Sequence, residues 1–88
     1  GAHTLMYKII IERRAAKEIE SLSNDMIQHV TDAIGHLKST PRPHGVKKLI
    51  GENGWRIRAR DYRILFTIDD TQKVITIYRI RHRREAYR

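Results

Sequence analysis

The sequence lacks cysteine altogether, which excludes disulfide bonds, thiol catalysis and zinc sites built on cysteine. No apolar run approaches the ~20 residues that a membrane-spanning helix needs, so no membrane partner is expected. Acidic residues are also scarce: ten Asp and Glu stand against eighteen Lys and Arg, for a formal net charge of +8. A surface this basic favours polyanions, and nucleic acid is the predicted class of partner.

The length of 88 residues predicts one domain. Residues 1–5 (GAHTL) are predicted to be the remnant of an expression tag, and Met6 the natural start. The segment 6–88 contains no internal repeat, linker or low-complexity stretch. We therefore expect it to fold as a single unit.

Hydrophobic spacing predicts a strand and then two helices in the N-terminal half. The segment 6–11 is rich in Ile and Tyr and is typical of a strand. Apolar residues then recur at helical spacing over 13–22 and 26–37, separated by Ser23, a favourable helix N-cap. Pro41 follows, and proline cannot continue a helix. Two helices joined by so few residues predict an antiparallel helical hairpin.

After residue 43, apolar residues recur at every second position instead of at helical spacing. The pattern predicts a short edge strand at 46–49, a strand with one apolar and one arginine face at 55–60, a central strand at 62–68, and a last strand at 74–80. The predicted fold class is α+β. An N-terminal strand and a helical hairpin pack on a small, mainly antiparallel sheet of four or five strands.

One predicted strand carries three arginines, Arg56, Arg58 and Arg60, on the same face. Like charges in a row repel one another, and the nearest acids in the sequence are Glu52 and Asp61. The row is therefore predicted to bind anions. Arginine suits phosphate because its planar guanidinium stays charged and donates bidentate hydrogen bonds.

Other basic residues flank this row. Arg63, just after the predicted turn, is a candidate for a phosphate site. The C-terminal tail carries His82 and Tyr87, two groups able to transfer protons, although a basic tail can also grip phosphates without any chemistry. The remaining candidates for phosphate binding are Lys47, Lys48, Arg79, Arg81 and Arg83.

The sequence has no cluster of Asp and Glu at metal-ligand spacing and no glycine-rich phosphate loop. RNA cleavage by such a chain is therefore predicted to use no metal and no cofactor. In that chemistry the ribose 2′-OH attacks the adjacent phosphate and leaves a 2′,3′-cyclic phosphate. A base takes the 2′ proton, an acid protonates the leaving oxygen, and cations stabilise the added negative charge.

Two segments, KKLIGENGWRIRARDYRILFTI and VITIYRIRHRREAYR, resemble the RelE branch of the RelE/ParE toxin superfamily. The resemblance covers nearly the whole chain after residue 5 and rests on the order and spacing of its elements. It implies a RelE-like fold and the toxin of a type II toxin–antitoxin system, a ribonuclease that cuts mRNA in the ribosomal A site. It also implies an acidic RelB-like antitoxin that wraps the toxin, and a bacterial or archaeal cytoplasm.

The family's active-site positions fall, by this resemblance, on Arg56, Arg58, Arg63, Arg81 and Tyr87. The resemblance implies that Arg63 and Arg81 bind the scissile phosphate, and that Tyr87 stacks on the nucleotide or transfers a proton. The chain departs from the family on the middle strand, where RelE enzymes carry lysines. Arginine cannot act as a base, so the predicted general base is His82 or Tyr87.

Three other interpretations stay open. A ParE-like toxin shares the fold but poisons DNA gyrase, although His82 and Tyr87 among arginines favour the nuclease. A non-catalytic module for RNA or ribosome binding would keep phosphate affinity and steep salt dependence without turnover. An attenuated toxin would keep the cationic site and lack the base.

Overall fold

The computed structural model describes residues 6–84, which form two helices packed on one face of a five-stranded sheet. The helices are α1 (Arg13–Glu20) and α2 (Asn24–His36). The strands are β1 (Lys8–Ile11), β2 (Lys47–Lys48), β3 (Trp55–Ala59), β4 (Tyr62–Asp69) and β5 (Val74–His82). The predicted α+β class is confirmed.

The strand order in the sheet is β1-β5-β4-β3-β2, so β4 is the middle strand, as its nearly continuous apolar sequence predicts. β1 runs parallel to β5, and the other neighbouring strands are antiparallel. A bulge at Tyr78 interrupts the register between β4 and β5, because Leu65 pairs with Arg79 while the next residue of β4 pairs with Ile77. Ile77 and Ile80 are therefore both buried although they lie three residues apart.

The hydrophobic core lies between the helices and one face of the sheet. Ser23 begins α2 as predicted, and its Oγ accepts a hydrogen bond from the Met26 amide at 3.2 Å. Neither helix of the described part of the chain is long and apolar enough to cross a bilayer. The largest fully buried side chains are Val30, Leu37, Ile64, Phe66, Ile75 and Ile77. Alternate residues of β3, β4 and β5 face away from this core. Arg56, Arg58, Arg63 and Arg81 are among them.

Candidate functional site

The face of the sheet opposite the helices carries three arginines on adjacent strands. The backbone register pairs Arg58 of β3 with Arg63 of β4, and Arg63 with Arg81 of β5. Residues paired in this way project to the same side of a sheet. Arg56 lies two residues before Arg58 and shares that side. We call this set the arginine face: Arg56, Arg58, Arg63 and Arg81.

Arg63 lies at the centre of the arginine face and is only 5% exposed. It is the one charged residue that is buried in the described part of the chain. Its burial follows from the topology, because β4 has a strand on each side and Arg63 stands between two other arginines. A guanidinium confined in this way presents its fork of donors with little freedom to move.

The arginine face lines a cavity of about 370 Å³. The other lining residues are Leu49, Glu52 and Leu65. Among residues 6–84 the lining holds four guanidinium groups and one carboxylate, so this part of the surface is strongly basic. Like charges held this close on a sheet are unfavourable by themselves and are relieved by an anion. The geometry therefore suits a phosphate group.

A second basic cavity, of about 320 Å³, lies at the turn between β3 and β4. It shares Arg58 and Arg63 with the first cavity, so one polyanion can reach both. Its remaining lining residues are Arg60, Asp61, Tyr62, Arg83 and Arg84. The basic surface thus continues from the arginine face around the turn between β3 and β4.

Arg60 lies in the turn and not on the arginine face, so its predicted placement was wrong. β3 ends at Ala59, and Arg60 and Asp61 form a two-residue turn in which Arg60 has a φ of 58°. Short hairpin turns need this left-handed conformation because it matches the twist of the strands. The residue that adopts it leaves the alternation of the strand. Arg60 lines the second cavity instead.

His82 lies on the helix side of the sheet, because it follows Arg81 and neighbouring residues of a strand face opposite sides. It pairs with Tyr62, with the two rings edge to face and their centres 5.1 Å apart. It lines a small cavity next to Glu18 of α1, and its Nδ1 accepts a hydrogen bond from the Arg84 amide at 3.2 Å. The structure therefore does not bring His82 together with the arginine face.

Two further candidates, Arg79 and Lys48, also lie apart from the arginine face. Arg79 pairs with Glu18 of α1 at 3.1 Å, where the two side chains are 20% and 25% exposed. The same carboxylate accepts the Ile80 amide at 2.8 Å, so this pair fastens α1 to β5. The Lys48 Nζ lies 4.8 Å from the centre of the Trp55 ring, on the helix side of the sheet.

Lys47 pairs with Arg56 and extends the arginine face to the edge of the sheet. Arg83 is exposed; its amide donates to the Asp61 carbonyl at 2.7 Å, and its Nε lies 4.0 Å from the Asp61 carboxylate. Tyr87 lies outside the described residues. Within residues 6–84, no group of three or more His, Asp or Glu side chains is placed to hold a metal ion.

The structure brings two residues to this side of the sheet that the sequence analysis did not place there, Glu52 and Tyr78. Glu52 stands in the β2–β3 loop and lines the cavity of the arginine face. Burial first, and the negative charge of Glu52 second, raise the pKa of Tyr78 above 10.0. The bulge at Tyr78 has no signal in the sequence, whereas the glycines at 51 and 54 indicate a loop that turns back on itself.

Comparison with solved structures finds the same fold. The chain is similar to a chain of the archaeal RelE–RelB complex from Pyrococcus horikoshii OT3, with 26% identity and a TM-score of 0.80 over 89% of this chain and 96% of that chain. It is also similar to a chain of the RelBE2 toxin–antitoxin complex from Mycobacterium tuberculosis, with 25% identity and a TM-score of 0.79 over 93% and 97%. A YoeB/ParE toxin from Agrobacterium tumefaciens, 18% identical, shares the fold with a TM-score of 0.74 over 85% and 96%.

Comparison with curated proteins finds no match. The family model of the ParE toxin of type II toxin–antitoxin systems matches residues 9–87, which is nearly the whole chain. The chain therefore belongs to the ParE toxin family of type II toxin–antitoxin systems, within the RelE/ParE superfamily.

Proposed function

We propose that this toxin is an endoribonuclease that cuts mRNA in the ribosomal A site without a metal. The observation that carries the proposal is the row of Arg58, Arg63 and Arg81 across three strands, with Arg56 beside it. Cleavage by 2′-OH attack builds up negative charge on one phosphate, and oriented cations stabilise that charge. The cavity of the arginine face supplies them.

Four of these cations have a defined role in the proposed reaction. Arg63 and Arg81 bind the scissile phosphate and stabilise its transition state, while Arg58 and Lys47 hold flanking phosphates of the strand. Tyr87 stacks on the nucleotide or transfers a proton. The products are a 2′,3′-cyclic phosphate and a 5′-OH, and DNA resists the reaction because it lacks the 2′-OH.

We further propose that an acidic RelB-like antitoxin wraps this toxin in a bacterial or archaeal cytoplasm. The net charge of +8 favours an acidic partner. The similar structures from Pyrococcus horikoshii OT3 and Mycobacterium tuberculosis are toxin–antitoxin complexes, which supports a partner of this kind.

Poisoning of DNA gyrase is the second candidate function, because the matching family model is that of the ParE toxin. The two candidates act on different targets, so one preparation of the protein can be tested on both. In one assay the protein meets programmed ribosomes, that is, ribosomes paused on a defined mRNA. In the other it meets gyrase and plasmid DNA.

New mRNA 5′ ends within the A-site codon, with gyrase unaffected, are the expected result. Primer extension maps those ends. Intact mRNA together with inhibited supercoiling would replace the nuclease with the gyrase poison. Intact mRNA and active gyrase, with tight binding to ribosomes, would favour a non-catalytic module.

A further inference from the structure

The loop between β2 and β3 is fixed against the sheet on the side of the arginine face. The Leu49 amide donates to the Gly54 carbonyl at 2.9 Å and closes the loop. Gly51 has a φ of 75°, a conformation that favours glycine. Gly54 lies so close to the Tyr78 hydroxyl that a Cβ there would stand 2.6 Å from its oxygen. Both ends of the loop are therefore held against the sheet, and Glu52 lies between them.

Glu52 is the one carboxylate that lines the cavity of the arginine face in the described part of the chain. The guanidinium groups of β3, β4 and β5 line the same cavity, and Leu49 and Leu65 complete its lining. The negative charge of Glu52 contributes to the raised pKa of Tyr78. A carboxylate beside a phosphate site repels the phosphate. Glu52 is therefore a candidate for a chemical role beside the phosphate.

Metal-free cleavage of RNA requires a group that takes the proton of the 2′-OH. Arginine keeps its proton in proteins and cannot act as the general base. Tyr78 has a raised pKa and stays protonated near neutral pH. His82 lies on the other side of the sheet. A carboxylate accepts a proton and is a common general base.

We propose that Glu52 is the general base of RNA cleavage and takes the proton of the ribose 2′-OH while the arginine face holds the adjacent phosphate. This assignment rests on the proposed function and names the group that completes it. The O2′–H bond breaks and its proton moves to the Glu52 carboxylate as the O2′–P bond forms. The P–O5′ bond breaks, and the departing O5′ takes a proton from water or from Tyr87. No atom is oxidised or reduced.

Three variants of the full chain test the assignment. Glu52→Gln keeps the shape of the side chain and removes the proton acceptor. Glu52→Asp keeps the carboxylate and withdraws it by one methylene. Glu20→Gln removes one negative charge at the exposed end of α1 and so matches the change in net charge.

Two measurements separate chemistry from binding. The first is the single-turnover rate of mRNA cleavage on programmed ribosomes between about pH 5 and 9. The second is binding to the same ribosomes carrying an mRNA with 2′-O-methyl riboses in the A-site codon, which cannot be cut by 2′-OH attack. Thermal unfolding of each variant reports on its folding.

Glu52→Gln should cut roughly 10²- to 10⁴-fold more slowly than the wild type, because it removes the proton acceptor. Glu52→Asp should keep more activity than Glu52→Gln. Glu20→Gln should keep both the rate and the pH profile of the wild type. Binding of the 2′-O-methyl mRNA should be at least as tight in Glu52→Gln as in Glu20→Gln, because Glu52→Gln removes a charge that repels the phosphate.

A Glu52→Gln rate equal to or above that of Glu20→Gln, with an unchanged pH profile, would overturn the assignment and leave the nuclease in place. Equal losses of rate, binding and thermal stability in both Glu52 variants would overturn it as well, because they would mark a structural role. A wild type that cuts no mRNA would overturn the proposed function itself.

Discussion

At the scale of single residues, the arginine face combines a buried cation with an exposed one. Arg63 is confined in the middle of the sheet, whereas its neighbour Arg58 is exposed. Arg58 also lines both basic cavities. A substitution at Arg58 therefore removes charge from the centre of the basic surface without opening the core.

Arg58→Gln should lower the rate of mRNA cleavage by about 10- to 1,000-fold, because the strand loses the cation that holds a flanking phosphate and positions the scissile one. Arg13→Gln removes the same charge from the exposed start of α1 and should leave the rate within about twofold. Single-turnover cleavage on programmed ribosomes compares the two variants. An equal loss in both would mean that net charge alone carries the activity.

Asp70 joins three segments of the chain. Its carboxylate pairs with Arg42 at 2.9 Å and accepts a hydrogen bond from the Tyr7 hydroxyl at 2.6 Å. The hydrogen bond from Arg42, followed by that from Tyr7, lowers the pKa of Asp70 from 3.8 to about 2. A lowered carboxyl pKa contributes stability that is present above 3.8 and is lost as the pH falls through the folded-state value.

Asp70→Asn should therefore melt at a lower temperature than the wild type near neutral pH. The difference should shrink as the pH falls from 3.8 towards about 2, because the wild-type carboxyl then takes up a proton. Thermal unfolding followed by circular dichroism over this range measures it. A difference that stays constant with pH would contradict the ionic origin of the effect.

At the scale of elements, the β2–β3 loop depends on close packing at Gly54. A Cβ at this position would stand 2.6 Å from the Tyr78 Oη and 3.2 Å from the Leu49 Cδ1. Gly35 near the end of α2 has no atom within 4 Å of such a Cβ. The two glycines therefore make a matched pair for an alanine substitution.

Gly54→Ala should lower the free energy of unfolding by about 1–3 kcal/mol, because the packed neighbours must move. Adding Tyr78→Phe should recover part of the loss. Gly35→Ala should raise the free energy of unfolding by up to about 1 kcal/mol, because alanine favours a helix. Urea unfolding measures all three. A fully stable Gly54→Ala would show that Tyr78 does not restrain the loop.

The elements themselves were predictable from local signals. The apolar period gives the strands and helices, and the Ser23 cap gives the start of α2. The predicted last strand ends at residue 80, whereas β5 continues to His82. The alternation that turns His82 away from Arg81 therefore lies beyond the predicted strand.

Other features of the site depend on contacts that no local pattern contains. Arg60 takes a left-handed φ that residues other than glycine seldom adopt. Arg79 finds its partner Glu18 at a separation of 61 residues. Glu52 reaches the arginine face through the path of the β2–β3 loop. Tertiary packing decides each of these positions.

At the scale of the whole molecule, the two faces of the sheet differ in what they carry. Its helix side builds the core, and its other side gathers cations from β2, β3, β4 and β5. A net charge of +8 favours polyanionic partners, and the arginine face is the surface that we propose holds a phosphate. The central claim is that the protein uses this face to cut RNA by attack of the 2′-OH.

The most direct test compares two mRNAs on programmed ribosomes, one with ordinary riboses and one with 2′-deoxyriboses in the A-site codon. The account predicts that the ordinary codon is cut and leaves a 2′,3′-cyclic phosphate, and that the 2′-deoxy codon stays intact. Cutting of the 2′-deoxy codon at the same rate, or a product that ends in a 3′-hydroxyl, would contradict it.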